Sequence, residues 1–272
     1  MTSVRFKKII RDYYRESGRD LPWRKTHDPY AILVSEIMLQ QTQVSRVEGY
    51  YAIFLKQFPS FRALAKAKPA AVLRAWQGLG YNRRALLLQK LAAAVMKEHK
   101  GKLPRDRAAL ETLPGIGKGT SGSLLAFVFN EPVVFIETNV RRVFLHFFFP
   151  GKMKVTDEAL ARYINRTLDR KHPREWYWAL MDYGSVLGKN LKTSGVGSNP
   201  NRRSAHYKKQ SRFSGSDREL RGKILRVMLA RKEISEQSLH VLLGAPAERI
   251  AKVNARLCRE GFIKINSGRI SL

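Results

Sequence analysis

The run Leu113-Pro114-Gly115-Ile116-Gly117-Lys118-Gly119-Thr120 sits between two helical stretches and allows little but a tight turn there. Proline disfavours a helical conformation in the residue before it, and glycine enters positive φ without a side-chain penalty. A helix over residues 121–129 then begins with bare backbone N–H groups. Such an end binds anions, phosphate among them. Taken alone, the run fits an ordinary glycine-rich helix–helix turn as well as it fits an anion site.

The charge of the whole chain favours the anion. Among 272 residues, 51 Lys and Arg face 22 Asp and Glu, a formal net charge of +29. Such an excess points to a polyanion, most simply nucleic acid. A basic membrane-surface protein is the rival, but no strongly amphipathic basic anchor stands at the N-terminus. No apolar run reaches membrane-spanning length; residues 143–149 are apolar but short, and His146 interrupts them. Without a signal-peptide core, the expectation is a cytoplasmic protein, nucleoid-associated in a prokaryote, with no membrane partner. The single cysteine, Cys258, excludes an intramolecular disulfide and a cysteine-ligated iron–sulfur cluster. The histidines show no metal-ligand spacing, so no metal-ligand residue is expected.

Helical patterns follow one another with hardly a strand signal. A basic-faced helix is expected over 3–16, then an extended Leu21-Pro22-Trp23-Arg24. Asp28 caps a helix over 29–41 with Pro29 at its first position. Thr42 is placed to cap a helix to 58, and Pro59 and Pro69 punctuate shorter ones. Trp76-Gln77-Gly78-Leu79-Gly80-Tyr81 reads as a turn before a helix over 82–99. After the glycine-rich turn and its helix, Glu131-Pro132 breaks the pattern and residues 133–136 form a short apolar run. Helices follow over 139–148, from Thr156, and over 174–186. Residues 1–187 are read as all-α.

From 188 to 215 the composition shifts: Lys189, Lys192, Arg202, Arg203, Lys208, Lys209 and Arg212 lie among Gly, Ser and Asn. This reads as an irregular basic segment, a solvated linker or a loop touching a nucleic-acid backbone. Residues 216–272 read as a second domain. Ser216-Asp217-Arg218-Glu219 is a capping box opening a helix to Ala230. Ser235 caps a short helix, and a third runs over 247–260 until Gly261 stops it. Residues 262–265 and 269–272, around Asn266-Ser267-Gly268, read as a β-hairpin. Three helices and a hairpin make a winged-helix plan, a small α+β domain that binds nucleic acid or protein.

One carboxylate stands out. On its helix Glu36 has Ile32, Leu33, Leu39 and Gln40 one turn away. Desolvation there favours the neutral acid, which suits a general acid near neutral pH. A surface glutamate fits the local pattern too.

Longer motifs decide between them. Leu21-Pro22-Trp23-Arg24, Asp28-Pro29-Tyr30 and the run from Ser35 through Glu36 and Gln41 to Val44 closely resemble the adenine DNA glycosylases of the MutY type. Trp76 to Tyr81, Leu113 to Gly117, Asn139-Val140-Arg141-Arg142-Val143 and Met181-Asp182-Tyr183-Gly184 continue the likeness in the same order. It covers about residues 5–187 and places the chain in the helix-hairpin-helix (HhH-GPD) DNA glycosylase superfamily. The resemblance implies two all-α subdomains with double-stranded DNA, its target base flipped out, bound across the cleft between them. It makes Glu36 the general acid that protonates the leaving base. The family's second catalytic carboxylate is an aspartate, and Glu137 stands at its position. A helix N-terminal carboxylate favoured by the dipole is the competing reading of Glu137.

The resemblance makes Gln41 and Tyr81 wedges beside the extruded base. Gly115, Gly117, Lys118 and Gly119 of the hairpin become DNA-binding candidates, with Asn139 and Arg141. Bifunctional relatives carry a lysine where this chain has Gly119, so no amine is poised for a Schiff base. The relatives' four-cysteine cluster is missing, and the basic segment takes its place. No cofactor is expected; a monovalent cation held by hairpin carbonyls stays open. The winged helix replaces the family's 8-oxoguanine-reading domain. The expected activity is monofunctional excision of a mispaired or damaged base by a monomer, first adenine opposite 8-oxoguanine or guanine. The alternatives are a thymine or uracil mismatch glycosylase and a non-catalytic DNA-binding or regulatory protein.

Overall fold

A computed structural model describes residues 1–193, 199–209, 211–231 and 233–272. The chain forms two compact units, each from two stretches: Met1–Ile37 with Lys102–Lys208, and Met38–Gly101 with Lys209–Leu272.

The first unit is helical. Helix α1 (Ser3–Ser17) starts at a Thr2 cap and buries Phe6 and Ile10. Residues Pro22–Arg24 form a single 3-10 turn rather than the expected extended segment; only Leu21, held at ψ 138° before the proline, is extended. Helix α2 (Pro29–Leu39) follows, its first turn closed by the Tyr30 N–H donating to Asp28 Oδ1 at 3.0 Å. After α7 (Arg107–Thr112), helix α8 (Lys118–Phe129) starts three residues before the expected position, because Gly117 itself is the cap. Helices α9 (Thr138–Phe148) and α10 (Asp157–Thr167) precede α11 (Pro173–Thr193), which runs past its expected end.

Helix α11 packs on α9, on α1 and on α8. The core they share is aromatic. The Phe6 ring lies 5.2 Å from Phe144, 4.9 Å from Phe148 and 6.0 Å from Trp176, all at steep angles. Such tilted pairs add to the burial energy of large rings.

Part of the basic segment is built into this unit. A 3-10 turn (Pro200–Arg203) packs on α9, and Val155 pairs with the chain around Ser204, donating to Arg203 O and accepting from the Ala205 N–H, both at 2.9 Å. Arg203, read as part of a solvated linker or a backbone-touching loop, donates instead to Leu145 O and Phe149 O at 2.9 Å, satisfying carbonyls at the end of α9. Residues 194–198 and the side chain of Lys192 lie outside the described residues.

In the second unit, α3 (Val44–Gln57), α4 (Phe61–Lys66), α5 (Pro69–Ala75) and α6 (Arg83–Glu98) surround Phe54, Leu64, Trp76, Leu88 and Leu91. Gln43, not Thr42, is the cap of α3. The Thr42 hydroxyl instead accepts from Arg84 at 2.9 Å and donates to Gln40 O. The C-terminal residues add α12 (Asp217–Ala230), β1 (Glu233–Ser235), α13 (Glu236–Leu243), α14 (Ala247–Arg259), β2 (Lys264–Asn266) and β3 (Arg269–Ser271). The expected hairpin is there, with a third strand: the antiparallel order is β1-β3-β2, and Ile270 faces both Ile234 and Ile265. The β1 signal was too short to see, three residues with one buried. Helix α12 packs on α5, so the winged-helix portion is docked within this unit.

Candidate active site

Helix α2 is apolar around nearly its whole circumference. Tyr30 to Val34, Ser35, Ile37 and Met38 are all buried. Glu36 rides on this helix with its carboxyl drawn among protein atoms, although part of its side chain touches solvent. Burial raises its pKa to about 7. A hydrogen bond from Ser123 on α8 opposes the rise, the charge of Glu137 adds to it, and Arg24 opposes it. Glu36 is thus partly rather than fully exposed.

Glu137 is the cap of α9. Its Oε1 accepts from the Asn139 N–H at 2.7 Å and the Val140 N–H at 2.8 Å. Burial pushes its pKa up. Bonds from the Val140 and Asn139 N–H groups, the Arg142 charge and the Thr138 N–H hold it back. Glu137 thus caps a helix, as its helix-start position predicts, and it also stands within electrostatic reach of Glu36. Its N–H donors oppose the rise, and its charge in turn raises the pKa of Glu36.

Gly115 sits at φ 85°, a conformation that glycine adopts without strain. Gly117 and Lys118 are exposed at the start of α8, and Gly117 provides no side-chain cap. Gly119 lies within α8 at an ordinary φ; a Cβ there would meet only Ile136 O, at 3.8 Å. Of the Asn-Val-Arg-Arg run, Asn139 Oδ1 accepts from Arg142 at 2.8 Å. Arg141 is held within the protein by a two-pronged pair with Asp157 and by Ser204 Oγ at 3.1 Å.

Gln41 and Tyr81 belong to the second unit and both take left-handed backbone, at φ 56° and 47°. Both are exposed. Their two turns are tied by one side chain that the sequence reading passed over. Arg84, 8% exposed, donates to Met38 O at 2.8 Å, Gln40 O at 2.6 Å and Gly80 O at 3.1 Å. Its guanidinium also lies 5.4 Å from the Trp76 ring and 5.5 Å from the Tyr81 ring. An arginine at a helix start looks like any solvated cation in sequence; only the third dimension shows five carbonyl and hydroxyl partners converging on it. Ser123 and Arg142 were missed for the same reason.

Comparison with known proteins agrees with this geometry. Residues 34–168 match the family model described as HhH-GPD superfamily base excision DNA repair protein. An adenine DNA glycosylase of Mycolicibacterium smegmatis is 34% identical over 96% of this chain and 93% of its own length. One from Buchnera aphidicola is 33% identical over 69% of this chain but 54% of its own length, and one from Mycobacterium tuberculosis is 43% identical over 48% and 43%. The match thus spans about half the length of several curated relatives. Among solved structures, a thermostable thymine-DNA glycosylase superposes with a TM-score of 0.61 at 26% identity, covering 68% of this chain and 86% of that one. Endonuclease III trapped covalently on DNA superposes with a TM-score of 0.53 at 19% identity, over 69% and 85%, which shows the fold alone.

The chain belongs to the HhH-GPD superfamily of base excision DNA repair proteins. Within the superfamily its sequence is of the MutY, adenine-glycosylase type.

Proposed function

We propose that this chain excises adenine mispaired with 8-oxoguanine or guanine and leaves an abasic site without cutting the strand. The observation that carries the proposal is the pair Glu36 and Glu137: burial raises the pKa of Glu36 to about 7, and Glu137, within electrostatic reach of it, accepts from two N–H groups at the start of α9. Glu36 protonates a ring nitrogen of the flipped base and so makes it a better leaving group. The glycosidic bond then breaks toward an oxocarbenium-like sugar. The negative charge of Glu137 stabilises that cation, as the second carboxylate does in glycoside hydrolysis. Water completes the reaction at the anomeric carbon.

The remaining assignments follow the same reading. Double-stranded DNA is held through phosphate at Gly115, Gly117 and Lys118, and Gln41 and Tyr81 fill the space that the flipped base leaves. Asn139 serves by bracing Arg142 beside Glu137. With Gly119 in α8 no amine faces the sugar, which makes the enzyme monofunctional. Cys258, exposed on α14, has no partner thiols to ligate a cluster, so the proposed enzyme works without one. Among the described residues no cluster of three His, Cys, Asp or Glu could hold a metal, and no helix is long and apolar enough to cross a membrane.

Thymine opposite guanine is the second reading, favoured by the likeness to the thymine-DNA glycosylase structure. Duplexes carrying A:8-oxoG, A:G, T:G and U:G pairs, scored for alkali-labile sites under single turnover, separate the two. Fastest excision from A:8-oxoG is expected. Faster excision from T:G would install the second reading, and none from any pair would end both.

A further inference from the structure

Within the second unit, a hydrogen bond reaches from the winged-helix portion to Tyr81. Arg218, in the first turn of α12, donates from one terminal nitrogen to the Tyr81 hydroxyl at 3.1 Å. Its other terminal nitrogen donates to Ser211 O at 2.7 Å and to Ser211 Oγ at 3.3 Å. The guanidinium is thus pinned from behind and aimed at the phenol. The first turn of α12 is itself fixed: Ser216 caps it, and Glu219 accepts from the Gly215 N–H at 2.6 Å. Helix α12 rests on α5, which leads directly into the Trp76–Tyr81 turn.

At the other end of the same ring, Trp76 Nε1 donates to Gly80 O at 3.1 Å, and Arg84 lies against the Tyr81 face. A tyrosine that is 39% exposed would otherwise sample several side-chain rotamers. Here its backbone, face and hydroxyl are each held. Holding a side chain in its bound pose before binding removes that ordering cost from the encounter.

We propose that Arg218 is a positioning residue for base extrusion: by gripping the Tyr81 hydroxyl it presents the ring for insertion into the duplex, and this is how the C-terminal domain takes part in lesion recognition. The proposal rests on the reading of Tyr81 as a wedge. It assigns the winged-helix domain a place in the working site, as a brace from within its own unit.

The full-length protein tests it, with duplexes carrying 2-aminopurine next to the target base, whose fluorescence rises when the stack opens. Arg218→Ala, Tyr81→Phe, the double variant and Tyr81→Ala are compared for that signal and for single-turnover excision. Arg218→Ala and Tyr81→Phe should each weaken extrusion by about tenfold, the order expected for one lost hydrogen bond, and the double variant should fall no further. Tyr81→Phe removes one oxygen and no structure, so it carries the test if Arg218→Ala melts early. Wild-type extrusion in Tyr81→Phe, or an Arg218→Ala loss that persists in the Tyr81→Phe background, would overturn the proposal. If Tyr81→Ala itself extrudes like wild type, the wedge reading fails and the proposal falls with it.

Discussion

Arg24 donates to both carboxylate oxygens of Asp182, at 2.8 and 2.7 Å, and its charge also acts on Glu36. Arg19 closes on the same carboxylate through its backbone N–H at 2.8 Å and its Nε at 2.7 Å. The Asp182 side chain is wholly buried. Burial pushes its pKa up, but the Arg24 bonds and charge, with those of Arg19, outweigh it and hold the carboxyl below the ordinary range. Asp182→Ala should therefore cost about 3–5 kcal/mol, because two cations lose their counter-charge in a desolvated place. Urea unfolding measures it; a loss under about 1 kcal/mol would show the cluster to be a surface-like pair.

The titration of Glu36 sets the pH dependence. The rate of the chemical step should fall about tenfold per pH unit above roughly 7, as the acid loses its proton. Stability follows the same group. Folded Glu36 binds its proton more tightly than the unfolded chain does. Its contribution is therefore full below the ordinary value of 4.5 and drains away as pH rises through about 7. Glu36→Gln, which cannot ionise, should gain on wild type in melting temperature between pH 5 and pH 8. A constant difference between the two proteins across that range would contradict a raised pKa.

Glu137 caps α9 and carries an ionisable carboxyl, and the two roles separate by substitution. Glu137→Gln keeps a side-chain oxygen for the Asn139 and Val140 N–H groups and loses the charge. Glu137→Ala loses both and should cost about 0.5–2 kcal/mol more in stability, the usual range for a helix cap. Both should slow excision by about a hundredfold or more if the charge stabilises the sugar cation. Excision near the wild-type rate in Glu137→Gln would reduce Glu137 to its structural role.

Gly119 allows an added function. A side chain there meets only Ile136 O at 3.8 Å and the backbone φ is not left-handed, so lysine is sterically admissible. That lysine would branch from α8 beside the residue that precedes Glu137. Wild type should leave an intact strand and give little borohydride-trapped adduct, whereas Gly119→Lys should trap. Efficient trapping by wild type would point to Lys118 and end the monofunctional reading.

The order of the helices was legible because proline, glycine and capping residues punctuate the chain at almost every boundary. Asp28, Ser216 and Ser235 do at their helices what their position predicts. The misreadings are local competitions. Thr42 and Gln43 can both precede α3, and the Thr42 hydroxyl went to Arg84. Pro22 to Arg24 closes a 3-10 turn that a single proline does not announce. At the site, Glu36 was visible through its apolar neighbours and its motif. Burial, the main cause of its raised pKa, was announced by those neighbours; the Ser123 bond and the Glu137 charge that modulate it were not, for they come from 87 and 101 residues away along the chain. Arg84, Arg218 and Arg203 look alike in sequence, among 51 cations, and differ only in the carbonyls and hydroxyls that happen to meet them.

The account turns on Glu36 as the acid, and single-turnover excision by Glu36→Gln on an A:8-oxoG duplex tests that most directly. The account predicts a rate lower by ~10²–10⁴-fold, the range typical of a lost general acid, with duplex affinity kept near wild type. A Glu36→Gln protein that removes the base within a few-fold of the wild-type rate would contradict it.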